Sequence, residues 1–258
     1  MVYCHICHLV LDTTHRPCAP YTPPMPPLSP AVIIVTLIVL LQVTREQISS
    51  IERATRSQSG SRTWFEQRQM RLTASTFGDV CHRTVRRNND KLCAALYNPR
   101  ALRTKAIIHG KTHEADAIKS FCLKTGLKVD KCGLFIYADE PYLAATPDGL
   151  VGNNYVLEVK CPYAGRDQSI SPGRAFPFLE TRDRKLCLKI THKYFDQIQG
   201  QMAITGRSYA YFVVFTFVDT AVIKVPFEAD FWQDSMLAKL KSFYECCYRS
   251  YVAKQLTK

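Results

Sequence analysis

The chain has 258 residues, 47% of them hydrophobic and 22% charged, with a formal net charge of +12. These are the proportions of an ordinary globular protein, so a chain without a core is excluded, and the length suits one large domain, with or without an appendage. Nearly all of the positive excess falls on residues 61–258, which points to a polyanionic partner, nucleic acid first.

Residues 1–43 differ in texture from the rest. Cys4 and Cys7 form a Cys-x2-Cys pair, half of a zinc signature, but only Cys18 and irregularly spaced histidines follow. A proline-rich stretch, "PCAPYTPPMPPLSP", reads as extended chain. The apolar run "AVIIVTLIVLL" is half the length of a membrane span. Residues 1–43 are therefore an unassigned leader, expected to be disordered, and no membrane partner is expected. Eleven cysteines, scattered and odd in number with no secretory leader before them, read as reduced thiols in an intracellular protein, nuclear or cytoplasmic.

From Thr44 onward the elements become regular. Thr44 and Gln47 have the spacing of a capping box and open a first helix, which "SQSGS" breaks. "RTWFEQRQM" predicts a second short helix and "TASTFGDVC" a third, entered through Thr73 or Ser75. Residues 103–125 form the longest helical candidate, closed by Gly126 and weakened inside by Gly110. Strands are predicted at 133–137, 142–146 and 155–160. Residues 163–190 read as a long functional loop. A helix closing on Gly206, two strands joined at Asp219–Thr220, and an amphipathic helix over 228–251 complete the chain. About five strands with helices before, between and after them imply an α/β sandwich around a mixed sheet.

The stretch "ATPDGLVGNNYVLEVKCP" carries the chemistry. Along "YVLEVK" the alternation puts Glu158 and Lys160 on one face, within chain too apolar for a solvated edge. Burying such charges is costly unless they pair or bind a metal. Asp148 sits at a Pro-Asp-Gly turn, from which a short hairpin can bring it beside Glu158. Two close carboxylates repel unless a cation intervenes, and hard oxygen donors suit Mg²⁺, with the Val159 carbonyl as a further donor. Lys160 would orient or help deprotonate the attacking water, or stabilise charge on the transition state; the constellation fits phosphodiester hydrolysis. The plain alternative is a structural Glu158–Lys160 pair with Asp148 as a turn residue.

These residues resemble the core motif of the PD-(D/E)xK nucleases, and the surrounding blocks resemble one branch, the YqaJ viral recombinase family related to phage lambda exonuclease. The resemblance spans most of residues 62–218 and rests on "WFEQRQMRLTAS", "GKTHEADA", "AATPDGL", "LEVKCPY" and "YFDQIQGQM", in the family's order. It implies a restriction-endonuclease-like α/β fold over residues 44–258. Asp148, Glu158, Val159 (through its carbonyl) and Glu114 match the metal site, Lys160 the catalytic lysine, and Gln197 the glutamine lining the same centre. Arg68, Ser75 and Thr146 match the pocket for the 5′-phosphate of a DNA end, Thr146 standing where serine is found in the relative.

The implied activity is a Mg²⁺-dependent DNA exonuclease, with Mn²⁺ substituting, that resects the 5′ strand of duplex ends in recombination or repair. The implied partners are double-stranded DNA ends, a homo-oligomeric ring and a single-strand annealing protein. A structure-selective or nicking endonuclease and a non-catalytic DNA-binding module are the alternatives. Beyond the motif, Arg166, Arg174, Arg182, Arg184, Lys185, Lys189 and Lys193 are candidates for a phosphate track, and Phe176 and Phe178 for stacking on an unpaired base. His109 and His113 are read as packing or phosphate-facing, Gln201 as an assistant to Gln197, Gln199 as without a task, and Tyr194 as core. The basic stretch "HRTVRRNNDK" maps onto nothing in the phage protein.

Overall fold

The computed structural model describes residues 35, 37, 41–84, 86–99 and 104–256, so the candidate zinc ligands and the proline-rich stretch lie outside the described residues. Within the apolar run, Leu37 and Leu41 are helical and buried in the core. The capping box forms as its sequence implies. Thr44 Oγ1 accepts from the Gln47 N–H, Gln47 Oε1 accepts from the Thr44 N–H, and the helix Arg45–Ala54 follows.

The central sheet has four strands in the order Gly149–Val151 (β4), Tyr155–Lys160 (β5), Tyr209–Phe215 (β8) and Thr220–Pro226 (β9). β5 pairs antiparallel with β4 and parallel with β8, which pairs antiparallel with β9. Both faces of β5 are covered. Leu157 and Val159 pack with Ala117 and Phe121 of the long helix Lys105–Thr125, while Val156 packs with Ile198 and Met202 of the helix Lys193–Thr205. Each of these helices closes on a glycine in the left-handed region, Gly126 at φ 71° and Gly206 at φ 67°. The result is a helix–sheet–helix sandwich with β5 at its centre.

The remaining strands depart from the single five-stranded sheet that was expected. β1 (Leu72–Thr73), β3 (Leu143–Ala145) and β2 (Phe135–Ile136) form a separate three-stranded sheet, and β6 (Leu179–Arg182) and β7 (Lys185–Leu188) a hairpin. That hairpin lies inside residues 163–190, which therefore are not one long irregular loop. Asp183 and Arg184 turn it with positive φ, 49° and 60°. A helix that the sequence reading did not identify, Asn89–Tyr97, begins inside the unassigned basic stretch, with Asn88 accepting from the Lys91 N–H as its cap. The C-terminal helical run spans Phe231–Gln255 and contains two π-turn segments.

Candidate active site

The Pro147–Asp148–Gly149 turn precedes β4, and the β4–β5 register carries it back along β5. The Asp148 N–H donates to the Leu157 carbonyl at 3.0 Å, and Asp148 Oδ2 accepts the Val159 N–H at 2.7 Å. Gly149 is needed there, because a Cβ would lie 2.3 Å from Val129 Cγ1. Asp148 and Glu158 are thus brought to one end of the sheet by backbone pairing.

Glu158 is 3% exposed and engaged at both oxygens. Lys160 Nζ donates to Oε1, Gln197 Nε2 donates to the same oxygen at 2.6 Å, and Gln201 Nε2 donates to Oε2 at 2.6 Å. Gln197 and Gln201 are one turn apart on the same helix face, so the helix grips the carboxylate with two amides. Gln201, read from the sequence as an assistant to Gln197, binds the other oxygen of the same carboxylate, and its own Oε1 is buried without a partner among the described residues. Gln199, expected to be idle, is fully buried and ties the helix to the end of β9 through the Pro226 carbonyl and the Glu228 N–H. Tyr194 is not simply a core residue. Its ring lies 4.6 Å from Lys160 Nζ and it lines the cleft.

The charges push one another. Burial and then the charge of Glu158 hold the Asp148 carboxyl well above the ordinary carboxylate range, against the pull of Lys160. Burial pulls the Lys160 ammonium down, but Glu158 and Asp148 together outweigh it and the net shift is upward. Glu114, on the long helix, is raised by burial and by Glu158. Three acids facing one ammonium leave an excess of negative charge in a poorly solvated cleft. Oxygen donors with that excess suit a hard divalent cation. Among the described residues no three His, Cys, Asp or Glu side chains close into a metal cage.

A cavity of about 380 Å³ joins this centre to a second group of residues. Arg68, Ser75 and Thr146 line it opposite Asp148, Glu158, Lys160 and Gln197. Arg68 Nη2 donates to Ser75 Oγ at 3.5 Å, its guanidinium lies 4.2 Å from the Trp64 ring, and Trp64 Nε1 donates to Thr146 Oγ1 at 3.1 Å. Burial lowers the Arg68 pKa to about 10, and no carboxylate pairs with it among the described residues. A guanidinium with no acid beside it among the described residues has the chemistry to take an external anion. Glu114 lines an adjoining cavity of about 890 Å³ whose wall includes Asp148, Arg68 and Ser75.

Two glycines set how closely the groups approach. The short helix Phe77–Cys81 sits on the glutamine helix where Gly78 meets the Lys193 backbone and Gly200 meets the Phe77 ring. A Cβ at either position would stand 2.4 Å from its neighbour. The glycine at 200 within "QIQGQ" is the sequence signal for this close approach.

Several expected contacts are not formed. Phe176 and Phe178 are 2% and 5% exposed in the core, Phe176 against Gly165, so neither can stack on a base. Of the candidate phosphate track, Arg166 and Arg182 are paired with Asp167 and Glu180, and Lys193 is the member that lines the 380 Å³ cavity. His109 and His113 pack with Phe217, their rings 4.6 Å apart, and His113 bonds Asp116. His82, in the basic stretch, bonds the buried Asp196 at 2.8 Å and ties the stretch to the glutamine helix. Burial pushes the thiols of Cys81, Cys93, Cys132 and Cys161 up to about 12, which makes them inert packing groups. No helix among the described residues is long and apolar enough to cross a membrane.

An acid pair and a lysine at the end of a buried central strand, on a helix–sheet–helix sandwich, define a restriction-endonuclease-like domain of the PD-(D/E)xK class. Residues 63–208, more than half of the chain, match the YqaJ-like viral recombinase domain, and the chain belongs to that family. Among solved structures it is similar to an alkaline exonuclease, LHK-Exo, from Laribacter hongkongensis, at 22% identity and a TM-score of 0.56, covering 75% of this chain and 94% of that one. The same exonuclease in complex with dAMP matches at 21% identity and a TM-score of 0.55, covering 74% and 93%. A SOX–DNA complex matches at 13% identity and a TM-score of 0.52, covering 82% and 74%. At these identities the likeness is one of fold. No curated protein matches the chain.

Proposed function

We propose that the protein is a metal-dependent DNA exonuclease that removes nucleotides from the 5′ end of duplex DNA during recombination or repair. The observation that carries this reading is the single cavity in which an unpaired Arg68, with Ser75 and Thr146, faces Asp148, Glu158, Lys160 and Gln197. An anion receptor beside a hydrolytic centre selects a substrate with a terminal phosphate next to the bond to be cut. The alkaline exonuclease fold and the dAMP and DNA complexes of the similar proteins agree with that substrate.

Asp148 and Glu158, with the Val159 carbonyl and Glu114 beside them, would hold Mg²⁺, and Mn²⁺ would substitute. The bound cation supplies Lewis acidity for activating water and neutralising charge at the phosphate. Arg68, Ser75 and Thr146 hold the 5′-phosphate and so set the register of the strand. Gln197 and Gln201 fix the Glu158 carboxylate by its two oxygens. Lys160, bonded to Glu158 and 3.5 Å from Gln197 Oε1, would orient the attacking water or stabilise the negative charge that develops at the phosphate. Lys193 at the rim adds a phosphate contact. A closed ring would suit processive digestion, and the single-stranded product is the substrate of an annealing protein.

Three substrates decide the matter: 5′-phosphorylated linear duplex, 5′-hydroxyl linear duplex and closed circular duplex, each with Mg²⁺ and with Mn²⁺. Preferential loss of label from the phosphorylated 5′ end is expected. Cutting of circles without preference for the phosphate would make the protein a nicking endonuclease, and binding without cutting would make it a non-catalytic module.

A further inference from the structure

We propose that Gln58 is a positioning residue for Asp148, holding the Pro147–Asp148 turn in place from a segment upstream of the family match. The inference rests on the nuclease reading above. Gln58 lies in a short 3-10 turn, Gln58–Gly60, that follows the first helix. Its backbone has φ 46°, a left-handed conformation that a side chain with a Cβ seldom adopts. Strain of this kind persists only where surrounding contacts enforce it. Here the Gln58 N–H donates to the Thr55 carbonyl at 2.8 Å, its carbonyl accepts from the Ser61 N–H at 2.8 Å, and the side chain adds two contacts at longer range in sequence. Gln58 Nε2 donates to the Cys132 carbonyl at 3.2 Å and to the Pro147 carbonyl at 3.1 Å.

The Pro147 carbonyl is the handle that matters. Asp148 is pinned from its other side by β5, through its own N–H on Leu157 and its Oδ2 on the Val159 N–H. The peptide that enters Asp148 is held instead by Gln58, with Cys132 Sγ donating to the same oxygen at 3.3 Å. Gln58 also lines the 380 Å³ cavity beside Asp148.

The segment bearing Gln58 is itself anchored. Glu52 Oε1 accepts the Gly133 N–H at 2.9 Å and Thr55 Oγ1 accepts the Leu134 N–H at 2.8 Å. A Cβ on Gly133 would stand 2.0 Å from the Glu52 carbonyl oxygen, so the helix and the extended segment 132–134 are in direct backbone contact. Residues 52, 55 and 58 therefore brace 132–134 and 147–148 as one unit, although the match to the family begins at residue 63.

The test compares the full chain with Gln58→Met, which keeps length but removes the donors, and Gln58→Gly, which removes the donors and relieves the backbone. The readouts are kcat and KM on 5′-phosphorylated duplex, Mn²⁺ binding by calorimetry, and the metal-free Tm. Both variants are expected to lose about 10- to 100-fold in kcat and in Mn²⁺ affinity, the scale of removing a group that orients a metal ligand. KM should hold, and the Gly variant should melt no lower than the parent. Unchanged kcat and Mn²⁺ affinity in either variant overturns the proposal, as does a loss of kcat that follows the Tm in both. A parent chain that neither digests the duplex nor binds Mn²⁺ overturns the nuclease reading and this inference with it; an active parent with unimpaired variants overturns the inference alone.

Discussion

Gly78→Ala isolates the contact that seats Ser75, of the proposed phosphate pocket, over Gln197 and the proposed hydrolytic centre. The new Cβ would lie 2.4 Å from Lys193 Cβ, 2.8 Å from Lys193 Cα and 3.2 Å from its carbonyl oxygen. Carbon atoms rest comfortably at about 3.5–4.0 Å, so the short helix must retreat from the glutamine helix by roughly 1 Å. Overpacking of this kind costs about 1–3 kcal/mol, against a gain of about 1 kcal/mol for alanine over glycine in a helix. The clash should win, because two of the three obstructing atoms are backbone and cannot rotate away. A net loss of up to about 2 kcal/mol lowers the Tm by up to about 8 °C in a domain of this size. Ser75 precedes Gly78 by less than one turn, and Gln197 follows Lys193 by one. A 1 Å misplacement of the two groups should therefore cost about 10²-fold in rate on 5′-phosphorylated duplex. Gly110→Ala is the control. Its Cβ would meet nothing within 4 Å, so it should stabilise the long helix by about 0.5–1 kcal/mol. Thermal melts and end-labelled digestion on both variants supply the data. A Gly78→Ala protein with parental Tm and undiminished preference for the 5′-phosphate would refute the close-approach account.

Three further outcomes are expected. Asp148→Ala should reduce Mg²⁺-dependent digestion by on the order of 10³-fold or more while leaving DNA affinity near the parent's, since phosphate contacts elsewhere supply the binding; filter binding and digestion on the same preparation check this. Asp148→Asn should raise the metal-free Tm at pH 7. Burial and Glu158 raise the folded-state pKa of Asp148 above the ordinary value, so its contribution to stability is fully present below that ordinary value and is lost as pH rises through the folded one. The gap between variant and parent should therefore close in acid, and a gap that is constant with pH would contradict the assignment. Arg68→Gln should reduce discrimination between 5′-phosphate and 5′-hydroxyl ends by about 10- to 100-fold, the worth of hydrogen bonds to a charged group, with hydroxyl-ended duplex digested at nearly the parental rate.

What was legible in the sequence is what depends on local rules. The capping box at Thr44, the two helices that close on Gly126 and Gly206, and β5 from Tyr155 to Lys160 follow from side-chain caps, left-handed glycines and period-2 alternation, each complete within a few residues. The acid pair and lysine were legible for the same reason, because one hairpin carries all three. Phe176 and Phe178 were misread because a short apolar run looks the same whether it faces a base or a core, and the hairpin that buries them is fixed by pairing between Leu179 and Leu188 across its turn.

The sequence by itself determined which residue types meet at the end of β5 and which helices can flank them. Only the tertiary structure decided that Gln201 and Gln197 grip opposite oxygens of one carboxylate, that Arg68 lines the cleft without an acid partner among the described residues, and that Gln58 reaches Pro147 across 89 residues. The physical reason is that a buried charge is defined by everything packed around it, and those neighbours come from chain segments whose separation in sequence no local pattern records.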